Sequence, residues 1–482
     1  MGNDVKSQTI NGVKWSGIES ISTQLITFVI GVILARLLAP SDYGVIGLLT
    51  VFMVFSNTFI NAGFTTALIR KADMTDVDCS TVFYCNILIS IACYIILFIC
   101  SPLIADFFDA PILSEVVKVY CLTLIIGAFE SVQISRLTKK LQFKSLAIVN
   151  VFTSVTSGII GISLAYMGWG VWALVWQSVL NGILHAVLIW IVSRWKPGFI
   201  FSKESFHEIF AFGKNLLFSG LLFNIYSQLS PLIISKFFSL ADLGQYNRGV
   251  SYASLPSNTI NGILEKVTFP IFANYQNDKD RLLYLYRRYI KSSSMIIMFS
   301  LILLAALAKP LVLFTITDIW ADCIIYLQIY IFGACFRHLS HINLNLIKVI
   351  GRSDLILNLE LWKRGISIAM IFAAIPFGVI GICISMVIFV HIDLAFNTYY
   401  TGKLFGFGYF KQMKDYMPYF LISLMCCTPA FLMTYLNLPY TVSILLGCIV
   451  SLTLYCSCLY MKKDNEFLEL ANPYINRIKR IF

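Results

Sequence analysis

Fourteen apolar runs follow one another along this chain, separated by short connections. Each is near the roughly 20 residues that a helix needs to cross a hydrocarbon core. They fall at about 13–38, 44–69, 80–102, 113–137, 145–167, 170–194, 211–236, 244–272, 290–314, 320–347, 355–376, 377–401, 416–436 and 439–461. In lipid a backbone amide has no water to bond, so runs of this length are expected to be helices. Composition agrees: 58% of the 482 residues are apolar and 13% charged, about half the charged share of a soluble domain. Mean hydropathy is +0.79. An ordinary soluble globule, a disordered chain and a secreted disulfide scaffold are excluded, and no length is left for a soluble catalytic domain. The expected fold class is an all-α polytopic membrane protein of about 14 transmembrane helices.

The turns have local causes. Ala39-Pro40-Ser41-Asp42-Tyr43-Gly44 joins proline, a capping carboxylate and glycine, and Gly168-Trp169-Gly170 reads as a tight reversal. Near Pro376-Phe377-Gly378 two spans and one kinked segment are both compatible with the pattern. Basic residues alternate between connections. One set holds Lys71, Arg136, Lys139, Lys140, Lys144, Lys196, Arg287, Arg288, Lys348, Lys411 and Lys462, and the other little beyond Arg36, Lys118, Lys236 and Lys309. This places both termini in the cytoplasm and assigns the net charge of +11 to topology, not nucleic acid. Trp169 and Trp320 are expected at the outer interface, Trp15 and Trp195 at the inner one. The 13 cysteines lie almost wholly in apolar runs, without a CxxC pair, and read as small buried hydrophobes, not metal ligands. No cleavable signal peptide is expected, because the first run is too long for one.

A shift of 200 residues brings two segments into register. Ile33–Leu38 meets Ile233–Phe238, Asp42-Tyr43-Gly44 meets Asp242-Leu243-Gly244, and Ile60-Asn61 meets Ile260-Asn261. Six spans per copy make a parallel repeat, related by a pseudo-twofold along the membrane normal. The expected organisation is a six-helix lobe at 1–200, a second at 201–402, and an additional two-helix hairpin with a basic tail at 403–482. The stretch Arg194–Lys214 joins the lobes along the inner surface.

The opening Gly12-Val13-Lys14-Trp15-Ser16, then Gln24, then Ala35-Arg36-Leu37-Leu38-Ala39-Pro40-Ser41-Asp42-Tyr43-Gly44 resembles bacterial polysaccharide transporters of the Wzx type, in particular the WzxC-like branch. These belong to the exporter superfamily that also holds MATE and MurJ-like proteins. The resemblance implies a flippase in the bacterial inner membrane. It would move an undecaprenyl-diphosphate-linked oligosaccharide (an O-antigen, capsule or exopolysaccharide unit) to the outer leaflet by alternating access through a cationic cavity. Implied partners are that lipid-linked cargo, membrane lipids, and a polysaccharide polymerase with its export machinery. No cofactor and no enzymatic activity are implied; coupling to a proton or sodium gradient is left open.

Charges inside the runs give the candidate site, because an ionisable group within a span is costly unless it is paired or faces water. Arg337, Lys363, Arg364, Arg248 and Lys266 are candidates for holding an anionic headgroup. For Arg337 the alternative is a buried pair with a carboxylate, and for Arg364 a local pair with Glu360. For Arg248 and Lys266 it is snorkelling to the interface. Asp393 and Glu360 are candidate ion-coupling carboxylates. Asp42 and Asp242 are either gate residues latching on Arg36 and Lys236 or, as the turn pattern favours, helix caps. Glu19, Glu130 and His185 are comparable charged positions in the first half. His338 and His341 share a face without a third ligand, so no metal site is expected.

Two readings compete inside the same architecture: a lipid II flippase, which composition does not separate, and a cation-coupled multidrug exporter, disfavoured by the Arg/Lys excess. A membrane-embedded polysaccharide polymerase would need a long polar outer loop with catalytic groups, and none is present. No sugar-nucleotide DxD, P-loop or GxSxG motif stands in a suitable context.

Overall fold

The structure, a computed structural model, describes residues 17, 22–61, 64–71, 73–276, 278–350, 352–436 and 438–469. Lys14, Trp15 and Glu19 lie outside the described residues. Among the described residues there is no strand, and all fourteen expected runs fall on helix. Contacts divide the chain into two units, Met1–Gly244 and Gln245–Phe482.

The first unit contains α1 (Ser22–Leu37), α2 (Pro40–Asn61), α3 (Phe64–Arg70), α4 (Asp76–Phe107) and α5 (Ile112–Tyr120). It continues with α6 (Leu122–Lys139), α7 (Phe143–Tyr166), α8 (Val171–Ser193), α9 (Lys203–Ser227) and α10 (Leu229–Phe237). α11 (Leu240–Asn274) begins in this unit and continues into the second. There follow α12 (Lys279–Ala306), α13 (Ala308–Ile316), α14 (Cys323–Val349), α15 (Ser353–Ala374), α16 (Gly378–Phe405), α17 (Tyr409–Met433) and α18 (Tyr440–Met461).

Among the described residues, ten helical segments are long and apolar enough to cross a membrane. Leu217–Ser227 of α9 and α10 together are long and apolar enough as one segment bent by 41°. The longest of the ten, Trp362–Phe405, has 44 residues, which as one rod would extend about 66 Å, twice the hydrocarbon thickness. It is a hairpin. A single 3₁₀ turn at Ile375–Phe377 and Gly378, with φ of +74°, reverse the chain, and α15 packs back along α16. The ambiguity at Pro376 therefore resolves into two spans.

The burial pattern is that of a lipid-facing bundle. α7 buries Thr153, Ser157, Gly158, Gly161 and Ala165 while Ile148, Phe152 and Ile159 are 55–60% exposed. Small residues let helix backbones approach, and large apolar ones are left for acyl chains. Helix starts follow the sequence: Thr75 and Asp78 form a reciprocal capping box on α4, and Ser202 caps α9 through the Ser205 amide at 3.2 Å. Only 194–202 of the joining stretch is non-helical. It is strapped to α4 by Gly198 N to Ser80 Oγ (3.0 Å), Ser202 N to Thr81 Oγ1 (3.1 Å) and Trp195 Nε1 to Asp76 Oδ1 (3.0 Å).

The duplicated turns share their capping bond, and Asp242 adds two with the Ser239 hydroxyl, a group that Ala39 lacks. Asp42 Oδ2 accepts from the Ala39 amide at 3.0 Å, and Asp242 Oδ2 from the Ser239 amide at 3.1 Å. Their glycines serve a second purpose. A Cβ on Gly44 would overlap the carbonyl of Leu240, and one on Gly244 the carbonyl of Pro40. The second contact is the first with 200 added to one residue number and taken from the other. The opening turns of α2 and α11 thus cross backbone to backbone about a local twofold, and only glycine fits there.

Trp320 departs from expectation. It is fully buried under the Arg248 guanidinium, 5.1 Å from its ring centre, and fills a packing gap instead of marking an interface. Trp195 is likewise 7% exposed, whereas Trp169 is 48% exposed.

Candidate functional site

Among the described residues, the densest charge inside the membrane-crossing helices lies between α15 and α16. Glu360, Lys363 and Arg364 share one face of α15 by their three- and four-residue spacing, and Asp393 and Asn397 share one face of α16. Lys363 Nζ lies 2.5 Å from Glu360 Oε1, 2.8 Å from Asp393 Oδ1 and 3.1 Å from Asn397 Oδ1. Arg364 Nη2 reaches Glu360 Oε2 at 2.7 Å, and Asn397 Nδ2 donates to Asp393 Oδ2 at 3.2 Å. Lys363 and Asp393 are 11 and 15 residues from the hairpin turn, about 16 and 22 Å along their helices, so the cluster is well inside the span.

This arrangement revises the expectation for Lys363. An ammonium has three donors, and here all three point at protein oxygens in a site where the side chain is 2% exposed. Lys363 presents no free donor to a phosphate. It is instead brought together with both carboxylates named for ion coupling, Glu360 and Asp393. Two cations face two carboxylates, so the cluster is neutral as it stands. Arg364 takes the local pair with Glu360.

The other candidate cations lie elsewhere in the second unit. Arg337, on α14, donates from Nη1 to the Tyr330 hydroxyl at 2.9 Å, two turns earlier on the same helix. Arg248 stacks on Trp320. Beside it Gln245 clamps the chain by donating to the Ile319 carbonyl (2.7 Å) and accepting from the Cys323 amide (3.1 Å). The side chain of Lys266 lies outside the described residues. His338 meets Ser294 Oγ at 3.2 Å. Among the described residues no three His, Cys, Asp or Glu side chains gather as a metal site. A cavity of about 370 Å³ opens beside Arg287, Arg288, Lys291 and Glu466. Its basic groups are compensated, with Asp415 accepting a two-pronged bond from Arg287 at 2.8 and 3.0 Å.

The latch expected of the turn residues is not formed by Lys236. Its ammonium bonds the Phe107 carbonyl at 2.5 Å and faces Asp109 at 3.6 Å, while Asp242 takes the Ser239 amide and hydroxyl. Asp42 and Asp242 therefore cap their helices, and Arg36 is exposed.

Two constellations in the first unit carried no assigned role in the sequence. At the start of α4, Lys71 bridges Glu208 (2.8 Å) and Asp78 (3.0 Å), and Arg136 holds Asp76 at 2.6 Å. The hydrogen bonds it donates to Glu208 and Asp78 hold the Lys71 ammonium above its ordinary range. Deeper in the bundle, His185 lies between Glu130 and Asn150, joining α6, α7 and α8. Glu130 and His185 were visible as charged positions. Asn150, a neutral amide in an apolar run, gave no signal beyond its polarity.

Fold and site together define the class: a multi-pass, all-helical membrane protein with ion-paired charges embedded in its spans. The solved structure of the lipid II flippase MurJ in an inward closed conformation has this fold. It superposes with a TM-score of 0.74 over 92% of this chain and 98% of its own, at 15% identity. The chain belongs to the polysaccharide biosynthesis protein family, whose profile matches residues 33–325. Among curated relatives, the teichuronic acid biosynthesis protein TuaB of Bacillus subtilis is 26% identical over 385 residues, 78% of either chain. The lipopolysaccharide biosynthesis protein WzxC of Escherichia coli is 21% identical over 427 residues, 86% of either.

Proposed function

We propose that this chain is a flippase for a polyisoprenyl-diphosphate-linked oligosaccharide, carrying it from the cytoplasmic to the outer leaflet of a bacterial inner membrane, with both termini in the cytoplasm. The observation that carries the reading is the placement of Arg337, Lys363 and Arg364 inside apolar helices of a polysaccharide biosynthesis family member. Cations this deep are costly unless they offset a negative charge. Glu360 and Asp393 supply that charge to Lys363 and Arg364 as the cluster stands; an anionic diphosphate takes over part of it during the transport cycle, and a sugar head group needs the wet, polar route such residues maintain. The names of TuaB, WzxC and MurJ point the same way.

The roles follow from the geometry. Arg337 offers a planar fork to phosphate oxygens while Tyr330 steadies one of its nitrogens. Lys363 is a switched cation. As long as Glu360 and Asp393 are both ionised it stays bound to them. A proton on Asp393 leaves the cluster with one positive charge in excess and frees one of the three ammonium donors for the diphosphate. Glu360 and Asp393 thereby couple uptake of an ion to cargo capture. Arg248 supports the turn at Trp320, and Lys266 remains a candidate for the cargo. Alternating access between six-span lobes at 1–200 and 201–402, with 403–482 as an appended hairpin, completes the cycle.

The test is surface glycan in a strain whose own copy is deleted. Arg337→Ala and Lys363→Ala, each expressed at wild-type abundance, should export far less, and Arg337→Lys should recover only part because it loses the fork. Normal export by both alanine variants would refute the cationic-site assignment.

A further inference from the structure

His185 is held from both sides within the bundle of α6, α7 and α8. Its Nε2 lies 2.8 Å from Asn150 Oδ1 and its Nδ1 2.6 Å from Glu130 Oε2. Glu130 and His185 side chains are 15% and 13% exposed. Counted from Lys139, Phe143 and Ser193, the ends of their helices, the three residues sit at one level, about 11 to 14 Å in. In a hydrocarbon core about 30 Å thick that is far from the headgroups.

The two contacts fix how many protons the group holds. Facing an amide oxygen, Nε2 is the donor to Asn150. Nδ1 and Oε2 then share one further proton, as imidazolium with carboxylate or as imidazole with carboxylic acid. Both forms are neutral overall. Loss of that proton leaves a carboxylate facing a nitrogen lone pair at hydrogen-bond distance, with one net negative charge in lipid surroundings. That state persists only where water or a cation reaches it. The pair therefore keeps one proton when sealed and releases it when wetted.

The charged groups of the helices packed around the pair lie toward their ends. On α6 these are Arg136, bound to Asp76, and Lys139, bound to the Lys71 carbonyl. Lys144 lies near the start of α7, Asp76 and Asp78 at the start of α4, and Asp106 at its end. Glu115 and Lys118 lie on α5, and Asp42 at the start of α2. The side chain of Arg70, at the end of α3, lies outside the described residues.

We propose that Glu130 and His185, oriented by Asn150, form a proton-binding site in the first unit that couples transport to a proton gradient. It takes one proton from water on one side of the membrane and returns it to water on the other. This rests on the transport reading for the coupling, but not for the proton site itself.

The discriminating variant is Glu130→Gln, which keeps a hydrogen-bonding partner for His185 and removes the exchangeable proton. If the triad only staples three helices together, Gln serves as well as Glu. For the proposal, Glu130→Gln made at wild-type level should export less glycan than wild type, and a protonophore should lower its export by a smaller factor than it lowers that of the wild type. Export equal to wild type, with unchanged protonophore sensitivity, would overturn the coupling. Nitrogen-15 histidine and carbon-13 glutamate spectra of the full wild-type chain in liposomes test the site without any cargo. His185 and Glu130 should report one common protonation step. In Glu130→Gln that common step should be absent. Separate steps for the two residues in the wild type would refute the shared proton, whether or not the chain exports glycan.

Discussion

Replacing Lys363 by methionine keeps the length of the side chain and deletes the one charge that two carboxylates share. Glu360 retains Arg364, but among the described residues Asp393 is left with only the Asn397 amide at 3.2 Å. Breaking a buried ion pair by removing one partner costs about 3–5 kcal/mol, most of it the stranded charge. The lower end applies here, because Glu360 and Asp393 keep 30% and 22% of their side-chain surface exposed and can take up a proton or water. Lys363→Met should therefore cost about 3 kcal/mol. Asp393→Asn should cost less, about 1 kcal/mol, since Lys363 keeps Glu360 and Asn397. In the double variant both unmatched charges are gone, and the loss should be about 2 kcal/mol instead of the additive 4. The coupling is then about 2 kcal/mol, within the range for contacting residues. Reversible unfolding in mixed micelles, with the four proteins compared as a cycle, measures it. Additive losses within about 0.5 kcal/mol would show that the cluster is not an energetic unit, and the switched-cation role of Lys363 would fall with it.

Asp42→Ala and Asp242→Ala should each lower stability by about 1 kcal/mol as lost helix caps, measured by the same unfolding assay. A change in export without any change in stability would instead identify them as gate residues. Gly44→Ala and Gly244→Ala should each cost about 1–3 kcal/mol by forcing the crossed backbones of α2 and α11 apart. The pair together should cost less than their sum, because the first substitution already opens the crossing; full additivity would contradict the shared contact.

Much of the fold was legible because a hydrocarbon solvent leaves the chain so little choice. Apolar length alone located the helices, and the Pro376 hairpin differed from a kinked rod only in whether its two arms pack together, which a sequence does not encode locally. The capping of α2 and α11 was readable for the same local reason, as an acid three residues after the turn. What sequence missed depends on register between helices. Lys363 and Asp393 are 30 residues apart and meet because the hairpin brings their faces together; nothing in either run announces the other. Asn397 and Asn150, uncharged, escaped a search for charges although each completes a cluster. Gly44 and Gly244 read as turn punctuation, while their tighter constraint is the carbonyl facing them across the crossing. Trp320 was assigned to an interface by its position near a span end, and burial beneath Arg248 decided otherwise.

The central claim is movement of a diphosphate-linked sugar lipid between leaflets. Purified protein in liposomes containing a fluorescent polyprenyl-diphosphate oligosaccharide tests it directly, by following how much label a membrane-impermeant quencher reaches with time. Protein-dependent exposure of the inner-leaflet pool, slowed in Arg337→Ala, is the predicted result. A pool that stays protected at every protein density and under an imposed proton gradient, while the same vesicles move a cationic dye, would contradict the account and favour a drug exporter.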